Sequence, residues 1–216
     1  MALCLQRTAQ RSRSAHASSA RPSPNRVDWR RPARLYGLRP LSRPCTVDQQ
    51  RLAFELMHRT CASIGDACRL GPGMVHNGWP HYRRKKSGSE AVCPFTVPGP
   101  AWYEADDHLA RCLTAAPRHM TFLTTRQGAP RSHKSAAQWF SRAYTDAGLT
   151  GLSAHGIRKH RASVFKENGA TPEQRMAFLG HETQSEAARY SKSADLQKVV
   201  SGTESSNSAG TKFKIG

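Results

Sequence analysis

Acidic residues are scarce in this sequence of 216 residues. Only 15 aspartates and glutamates stand against 33 lysines and arginines, which gives a formal net charge of +18. An enzyme with an acidic substrate can be this basic, but such a surplus is most typical of proteins that bind nucleic acid. The surplus is uneven, because residues 1–45 contain ten arginines, no lysine and a single acid, Asp28.

Long apolar runs are also missing. No stretch approaches the ~18 apolar residues that a membrane-spanning helix needs, so we expect no membrane partner. The first twenty residues combine a short apolar start with many arginines and serines. This composition imitates an organelle transit peptide, but it lacks the apolar core of a secretory signal.

Paired cysteines are absent as well. The chain has six cysteines and no C-x-x-C pair: Cys4, Cys45, Cys61, Cys68, Cys93 and Cys112. We interpret them as reduced thiols of a cytoplasmic protein. A disulfide framework or a zinc site is the alternative interpretation.

The composition divides the chain into three regions. Residues 1–45 are rich in Arg, Ser, Ala and Pro without an apolar period, which predicts a disordered basic arm. Residues 46–200 have a globular pattern, and residues 201–216 form a flexible tail of Gly, Ser and Lys. The composition changes abruptly near Thr46, and a shifted reading frame upstream of a genuine domain would also produce this boundary.

Cap signals and apolar stripes predict a mainly α-helical domain with a small antiparallel β-sheet, an α+β fold. Residues 74–97 are predicted as short strands with a turn at Ser87 and Gly88. Helices are predicted from Thr46, from Ser63 to Gly71, at about 101–115 and 134–147, from Ser153 to Asn168, from Thr171 to Gly180 and over 184–199.

Four polar residues near the end of the domain are candidate catalytic residues. His155 and Arg158 are three residues apart, so they share one face of a helix. His181 follows a glycine that is predicted to end a helix, where its side chain can point into a cleft. Tyr190 lies nine residues further along, on the next helix. Two imidazoles, a guanidinium and a phenol in a basic protein are suited to phosphoryl transfer.

The order of these residues resembles the signature of the tyrosine recombinases, the phage integrase family. That signature is H-x-x-R, then L-G-H, then a tyrosine, and here it reads His155 to Arg158, Leu179 to His181, and Tyr190. The resemblance covers roughly residues 46–200. Three further segments resemble the family. Residues 51–67 match its first box, and Lys85 to Gly88 match its lysine turn. Thr121 to Thr124 and the helix around Trp139 match its middle segment.

The resemblance implies a tyrosine-recombinase-like catalytic domain that transfers strands of duplex DNA without a metal, a cofactor or a small-molecule substrate. Tyr190 would be the nucleophile and Lys86 the general acid, with Lys85 as the alternative for the latter role. The charge on the phosphate would be neutralised by Arg158, His155 and His181. The resemblance also implies a homo-oligomer, a tetramer on paired sites, in the bacterial cytoplasm and associated with the nucleoid.

Basic residues beside these motifs are predicted to contact DNA: Arg83, Arg84, Lys85, Lys159 and His160. The alternative to a DNA-contacting role for Arg83 to Lys86 is a solvent-exposed charged surface without a partner.

Two positions depart from the family pattern. Ser63 stands where the family has its first catalytic arginine, and Cys61 replaces the glycine of the same box. Arg59 and Arg69 are near in sequence but on other helical turns. Residues 1–45 also do not resemble the N-terminal helical domain that clamps DNA in this family. Two alternatives therefore stand beside an active recombinase: a catalytically impaired DNA-binding remnant of an integrase, and a generic basic nucleic-acid-binding protein.

Overall fold

The computed structural model describes residues 48–103, 106–116, 118–149 and 151–202. The predicted arm of residues 1–45 lies outside these ranges, as does the predicted tail except for its first two residues. Four cysteines lie within them, and all four are buried free thiols: Cys61, Cys68, Cys93 and Cys112. No helix in these ranges has both the length and the apolar character needed to cross a bilayer.

The described residues form a mainly helical domain with one small antiparallel sheet, as predicted. The sheet has the order β1-β2-β3, and β2 pairs with β3 through Tyr82 and Ala91. The elements in chain order are α1 (Gln49–Thr60), α2 (Ile64–Ala67), a 3₁₀ turn (Pro72–Met74), β1 (Val75–His76), β2 (Trp79–Arg83), β3 (Glu90–Val92), α3 (His108–Ala115), α4 (His133–Asp146), α5 (Ala154–Glu167), α6 (Pro172–Leu179), α7 (Gln184–Tyr190) and α8 (Leu196–Ser201).

Several helices begin at the predicted caps. The Ser153 hydroxyl accepts a hydrogen bond from the Gly156 amide, and Thr171 forms a reciprocal capping box with Gln174. The structure places the cap of α1 at Asp48, whereas the predicted cap Thr46 lies outside the described residues. These caps satisfy amide groups that the first turn of a helix leaves without partners.

The core is built around α1, which contacts α3 and α5. Leu52 and Leu56 of α1 are fully buried. The predicted face of α4 packs into the same cluster with Phe140 and Tyr144. A second cluster joins α5 to α6, where the ring centroids of Phe165 and Phe178 are 4.7 Å apart. The two clusters fix α5 and α6, which carry most of the motif residues.

The helix predicted at 101–115 is shorter than expected, because α3 begins at His108. The amide of Tyr103 donates to the Pro100 carbonyl in a turn. The Trp102 ring then packs edge-on against Phe165 at a centroid distance of 5.1 Å. Packing of these aromatic rings against α5 outweighs the local preference for helix.

The single helix predicted over 184–199 is wrong, since the chain forms two helices separated at residues 191–195. The Ser191 hydroxyl donates to the Ala187 carbonyl at 2.8 Å and accepts from Arg175. The Asp195 amide donates to the Glu167 carboxylate at 2.7 Å, and Asp195 caps α8. These contacts end α7 at Tyr190.

Candidate active site

The Tyr190 ring is the centre of the candidate site. It is half-buried at the last residue of α7. Its centroid lies 4.5 Å from that of the His181 ring and 5.2 Å from that of the His155 ring. The Arg158 guanidinium lies 5.4 Å from the same centroid. Four of the five predicted catalytic residues therefore meet in one place.

Arg158 is fixed from both sides by backbone carbonyls. Its side chain is 2% exposed, and its two terminal nitrogens donate to the carbonyls of Cys61 and Leu179. Cys61, at the position of the family's glycine, has a left-handed backbone with φ of 53°. Burial and then the neighbouring Arg84 charge lower the pKa of Arg158. A buried guanidinium of this kind is suited to binding an anion.

His181 is held next to Arg158 by the end of α6. Gly180 ends α6 in the left-handed conformation with φ of 60°, and the His181 amide donates to the Met176 carbonyl. The imidazole is only 5% exposed, yet neither ring nitrogen has a hydrogen-bond partner among the described residues. Burial, followed by the Arg158 charge, lowers the pKa of His181 to about 4. The ring is therefore neutral at pH 7 and available to a ligand.

His155 and Lys86 are both exposed. His155 is in the first turn of α5, and Lys86 is on the turn between β2 and β3. Burial lowers the pKa of His155 first, and the charges of Lys159, Arg158 and Lys86 lower it further. The charge of the turn lysine thus acts on the imidazole that touches Tyr190.

Ser63 is a helix cap, as predicted, and it is also connected to the lysine turn. Its hydroxyl accepts from the Asp66 amide at 3.2 Å and donates to the Asp66 carboxylate at 2.7 Å. The other carboxylate oxygen of Asp66 accepts from the Lys85 amide at 2.9 Å. Asp66 is buried, so this chain of bonds anchors the β2–β3 turn to α2.

The sequence model of the phage integrase family matches residues 42–197. This chain belongs to the phage integrase family. It is 28% identical over 146 residues to the integrase of Escherichia phage HK022, a match that covers 65% of this chain and 40% of that protein.

Solved structures show the same fold in other integrases and recombinases. A lambda integrase dimer bound to a COC′ core site superposes with a TM-score of 0.57 at 18% identity, covering 84% of this chain and 60% of that one. A lambda integrase tetramer bound to a Holliday junction gives 0.56 at 20% identity over 74% of this chain and 48% of the other. XerA recombinase gives 0.52 at 13% identity, with coverages of 72% and 62%.

The predicted DNA-contacting residues of this integrase-family chain separate into two groups. Arg83, Lys85 and Lys159 are exposed, with Arg83 paired to Glu90 at 3.0 Å. His160 is half-buried. Arg84 does not fit the alternative of a solvent-exposed charged surface, because it is 9% exposed and donates to the Gly180 carbonyl at 2.7 Å.

The arginines near Ser63 in sequence are engaged elsewhere. Arg59 donates to the Phe95 carbonyl at 3.1 Å, and its guanidinium lies 5.2 Å from the Tyr103 ring centroid. Arg69 pairs with Asp66 at 3.6 Å. Neither contact involves the residues around Tyr190.

Sequence reasoning missed Arg175 altogether, and it missed the burial of Arg84, which it named only as a DNA contact. Arg175 of α6 is buried and donates to the Ser191 hydroxyl, so it fixes the residue that follows Tyr190. Nothing in the sequence marks that contact. Arg84 had a signal that was overlooked: it continues the alternation of Pro80 and Tyr82, the buried positions of β2.

One possible metal-binding group occurs among the described residues, away from the four residues around Tyr190. Ligand atoms of Glu55, His58 and Asp106 lie within 4.8 Å of one another. The Glu55 carboxylate forms an ion pair with Arg51, which competes with a cation. Burial, as the largest cause, raises the pKa of Glu55 to about 7. This group is therefore poorly suited to a resident metal.

Proposed function

We propose that residues 46–200 form the catalytic domain of a site-specific DNA recombinase. In this proposal the domain cuts and rejoins duplex DNA through a 3′-phosphotyrosyl intermediate. The observation that carries the proposal is the packing of the Tyr190 ring against His155, Arg158 and His181. A weak nucleophile, donors for a phosphate and neighbouring lysines are then within one site.

Strand cleavage in this site conserves the number of phosphodiester bonds. The Tyr190 oxygen attacks the scissile phosphorus, and the bond to the 5′ oxygen breaks as the tyrosyl bond forms. The Tyr190 phenol gives its proton to a neighbouring neutral imidazole, and Lys86 gives a proton to the departing 5′ oxygen. A 5′ hydroxyl of a second duplex then attacks the phosphotyrosine and releases Tyr190. Because each bond broken is replaced by another, the reaction needs no nucleotide cofactor.

The charge on the phosphate oxygens increases in the transition state and requires preorganised donors. Arg158 supplies a buried positive charge that two backbone carbonyls hold in place. His181 has a pKa of about 4, so at pH 7 it offers one N–H as a neutral donor. His155 is exposed, and its ring centroid lies 5.2 Å from that of Tyr190, so it is a third donor beside the phenol.

Duplex DNA is the proposed partner, and an assembly on paired sites is the proposed working form. The net charge of +18 favours a phosphate backbone as ligand. The lambda integrase structures that share this fold are a dimer on a core site and a tetramer on a Holliday junction. We extend that arrangement to this chain as a homo-oligomer that forms when two DNA sites are brought together.

A second candidate function is a DNA-binding remnant that has lost cleavage. The observation that favours it is Ser63, whose hydroxyl is occupied by Asp66 and cannot replace a guanidinium. Loss of one preorganised donor typically lowers a rate ~10²–10³-fold. This candidate predicts duplex binding without a covalent product.

Covalent trapping tests the two candidates. The protein is incubated with nicked duplexes that carry a randomised core, and adducts that survive denaturation are recovered and sequenced. A recombinase gives adducts that disappear in Tyr190→Phe while the duplex Kd stays unchanged. Tyr144→Phe is the matched control, because it also removes a phenol hydroxyl, one that is buried and has no partner among the described residues.

The remaining outcomes separate the alternatives. Duplex binding without adduct supports the remnant. A normal adduct yield in Tyr190→Phe contradicts the proposed nucleophile. Equal affinity for unrelated single strands and duplexes supports a generic basic binder.

A further inference from the structure

We propose that Arg84 is the second phosphate-binding guanidinium of this site and replaces the arginine that the family carries at the position of Ser63. The inference rests on the proposed function and names a residue for the same site. It begins from an unusual pair: Arg84 and Arg158 donate to consecutive carbonyls, those of Gly180 and Leu179. Both guanidiniums therefore lie at the end of α6, immediately before His181.

The pair has no compensating acid. Among the described residues, neither Arg84 nor Arg158 forms an ion pair with a carboxylate, although the two side chains are 9% and 2% exposed. Two buried positive charges side by side repel each other and lose hydration. Partial negative charge at the C-terminus of α6 offsets only part of that cost. A dianionic or monoanionic ligand would offset the rest.

Hydrogen-bonding groups are also left without partners around the pair. In the described part of the chain, the Nε atoms of Arg84 and Arg158 and both ring nitrogens of His181 are buried and unpartnered. Buried polar atoms in native proteins nearly always have partners, so the two ring nitrogens of His181 beside two guanidiniums point to an anion that binds here. Guanidiniums and an imidazole match the oxygens of a phosphate.

The electrostatic effects agree with this closeness. The Arg84 charge is the largest charge effect on the pKa of Arg158, which it lowers, and it also lowers the pKa of His181. Arg84 therefore belongs electrostatically to the Tyr190 site and not to the exposed basic face of Arg83 and Lys85.

The competing explanation is that Arg84 only supports the end of α6. Ser89 allows a direct comparison, because its hydroxyl donates to the same Gly180 carbonyl at 2.7 Å without carrying a charge. A purely structural role predicts that Arg84→Gln and Ser89→Ala behave alike. A phosphate-binding role predicts that only Arg84→Gln weakens binding of an anion.

The first measurement is a titration with inorganic phosphate at constant ionic strength. Binding is monitored through the NMR signal of the His181 ring. We expect saturable binding, a Kd at least ~10-fold weaker in Arg84→Gln, and a Kd within about twofold of the unmutated value in Ser89→Ala. Arg84→Lys keeps the charge but loses the fork, so an intermediate Kd is expected. It also provides the test if Arg84→Gln does not fold.

The second measurement uses nicked duplexes with a phosphodiester or a neutral methylphosphonate at the cleavage position. Arg84→Gln should lower cleavage of the phosphodiester ~10²-fold but affect the methylphosphonate much less, because the charge that Arg84 recognises is gone. A structural role would lower both equally and would overturn the inference.

The two measurements separate the two proposals. Absence of phosphate binding, or equal Kd values for the unmutated protein and Arg84→Gln, overturns the role of Arg84. Phosphate binding that depends on Arg84, together with no adduct on any duplex, supports the anion site and contradicts the proposed strand cleavage alone.

Discussion

The groups of the Tyr190 site divide into buried and exposed ones. Arg84, Arg158 and His181 are buried, and the backbone carbonyls of the α6 terminus hold the guanidiniums. His155 and Lys86 are exposed, on a helix start and a hairpin turn. Under the proposed function the buried groups supply fixed positive charge, and the exposed turn supplies the proton donor.

The proposed function accounts for this division. A donor that stabilises charge must be in position before the reaction, and burial strengthens its electrostatic effect. A lysine that donates a proton has to approach and withdraw, which an exposed turn permits. The backbone of that turn is held in place through the Lys85 amide and the buried Asp66.

The largest effect is expected from a substitution among the exposed groups of the site. Lys86→Ala should lower cleavage ~10²-fold or more, because the 5′ oxygen is a poor leaving group without a proton. A duplex with a bridging 5′ sulfur, which leaves without a proton, should restore most of the rate in single-turnover cleavage. The exposed Lys134→Ala should change neither rate. The same rescue pattern in Lys85→Ala instead would transfer the role to Lys85.

An intermediate effect tests the buried groups. In an Arg84→Gln background, Ser63→Arg should raise the cleavage rate ~10-fold, since it returns the missing charge to the family position. In the unmutated background the gain should be smaller. Removal of the Ser63 cap costs about 1 kcal/mol of stability in both. Equal gains in the two backgrounds, measured as single-turnover rates, would show that Arg84 and residue 63 do not share one role.

The buried groups also affect stability, as distinct from rate, and this effect depends on pH. The folded pKa of His181 is about 4 against 6.5 for an ordinary histidine, so between these values the unfolded chain binds more protons. The free energy of unfolding therefore falls as pH falls from about 6.5 to 4, by about 3 kcal/mol from this residue.

Urea unfolding at several pH values checks this contribution. His181→Gln should flatten the dependence relative to the unmutated protein, while the exposed His76→Gln should leave it unchanged. The comparison between variants is needed because burial also lowers the pKa of His58. Identical pH profiles for all three proteins would contradict a buried neutral imidazole.

The smallest effect separates the folded site from the arginine-rich arm. Deleting residues 1–45 should flatten the slope of log Kd against log salt for duplex binding, by ~0.9 for each phosphate that the arm neutralises, with little change in sequence preference. Deleting residues 203–216, which carry two lysines and one glutamate, is the control. An unchanged slope after removal of the arm would mean that it does not bind phosphates.

Much of the fold could be predicted because capping residues mark where its helices begin. The caps Ser63, Ser153 and Thr171 each begin a helix in the structure. The errors occurred where distant contacts decide: the packing of Trp102 on Phe165 delays α3, and Glu167 reaches Asp195 across the break between α7 and α8. The sequence next to these residues gives no signal that predicts either contact.

The candidate site was predictable to a similar degree. The spacing of His155 and Arg158 on one helix indicated a shared face, and the structure brings both to Tyr190. The role of Arg84 was hidden because a run of four basic residues suggests a solvated face. Only the period of β2, which turns Tyr82 and Arg84 inward together, distinguishes Arg84 from Arg83.

The short length of α7 has a consequence for when the nucleophile is in place. A helix of seven residues is unstable by itself, and Ala187 is the one residue of α7 that is buried. Its amide hydrogens are therefore expected to exchange with solvent by local opening long before those of α5, which buries seven residues. Tyr190 is thus carried by the helix of the site that we expect to open most often, and its phenol is in position only while α7 is packed against the domain.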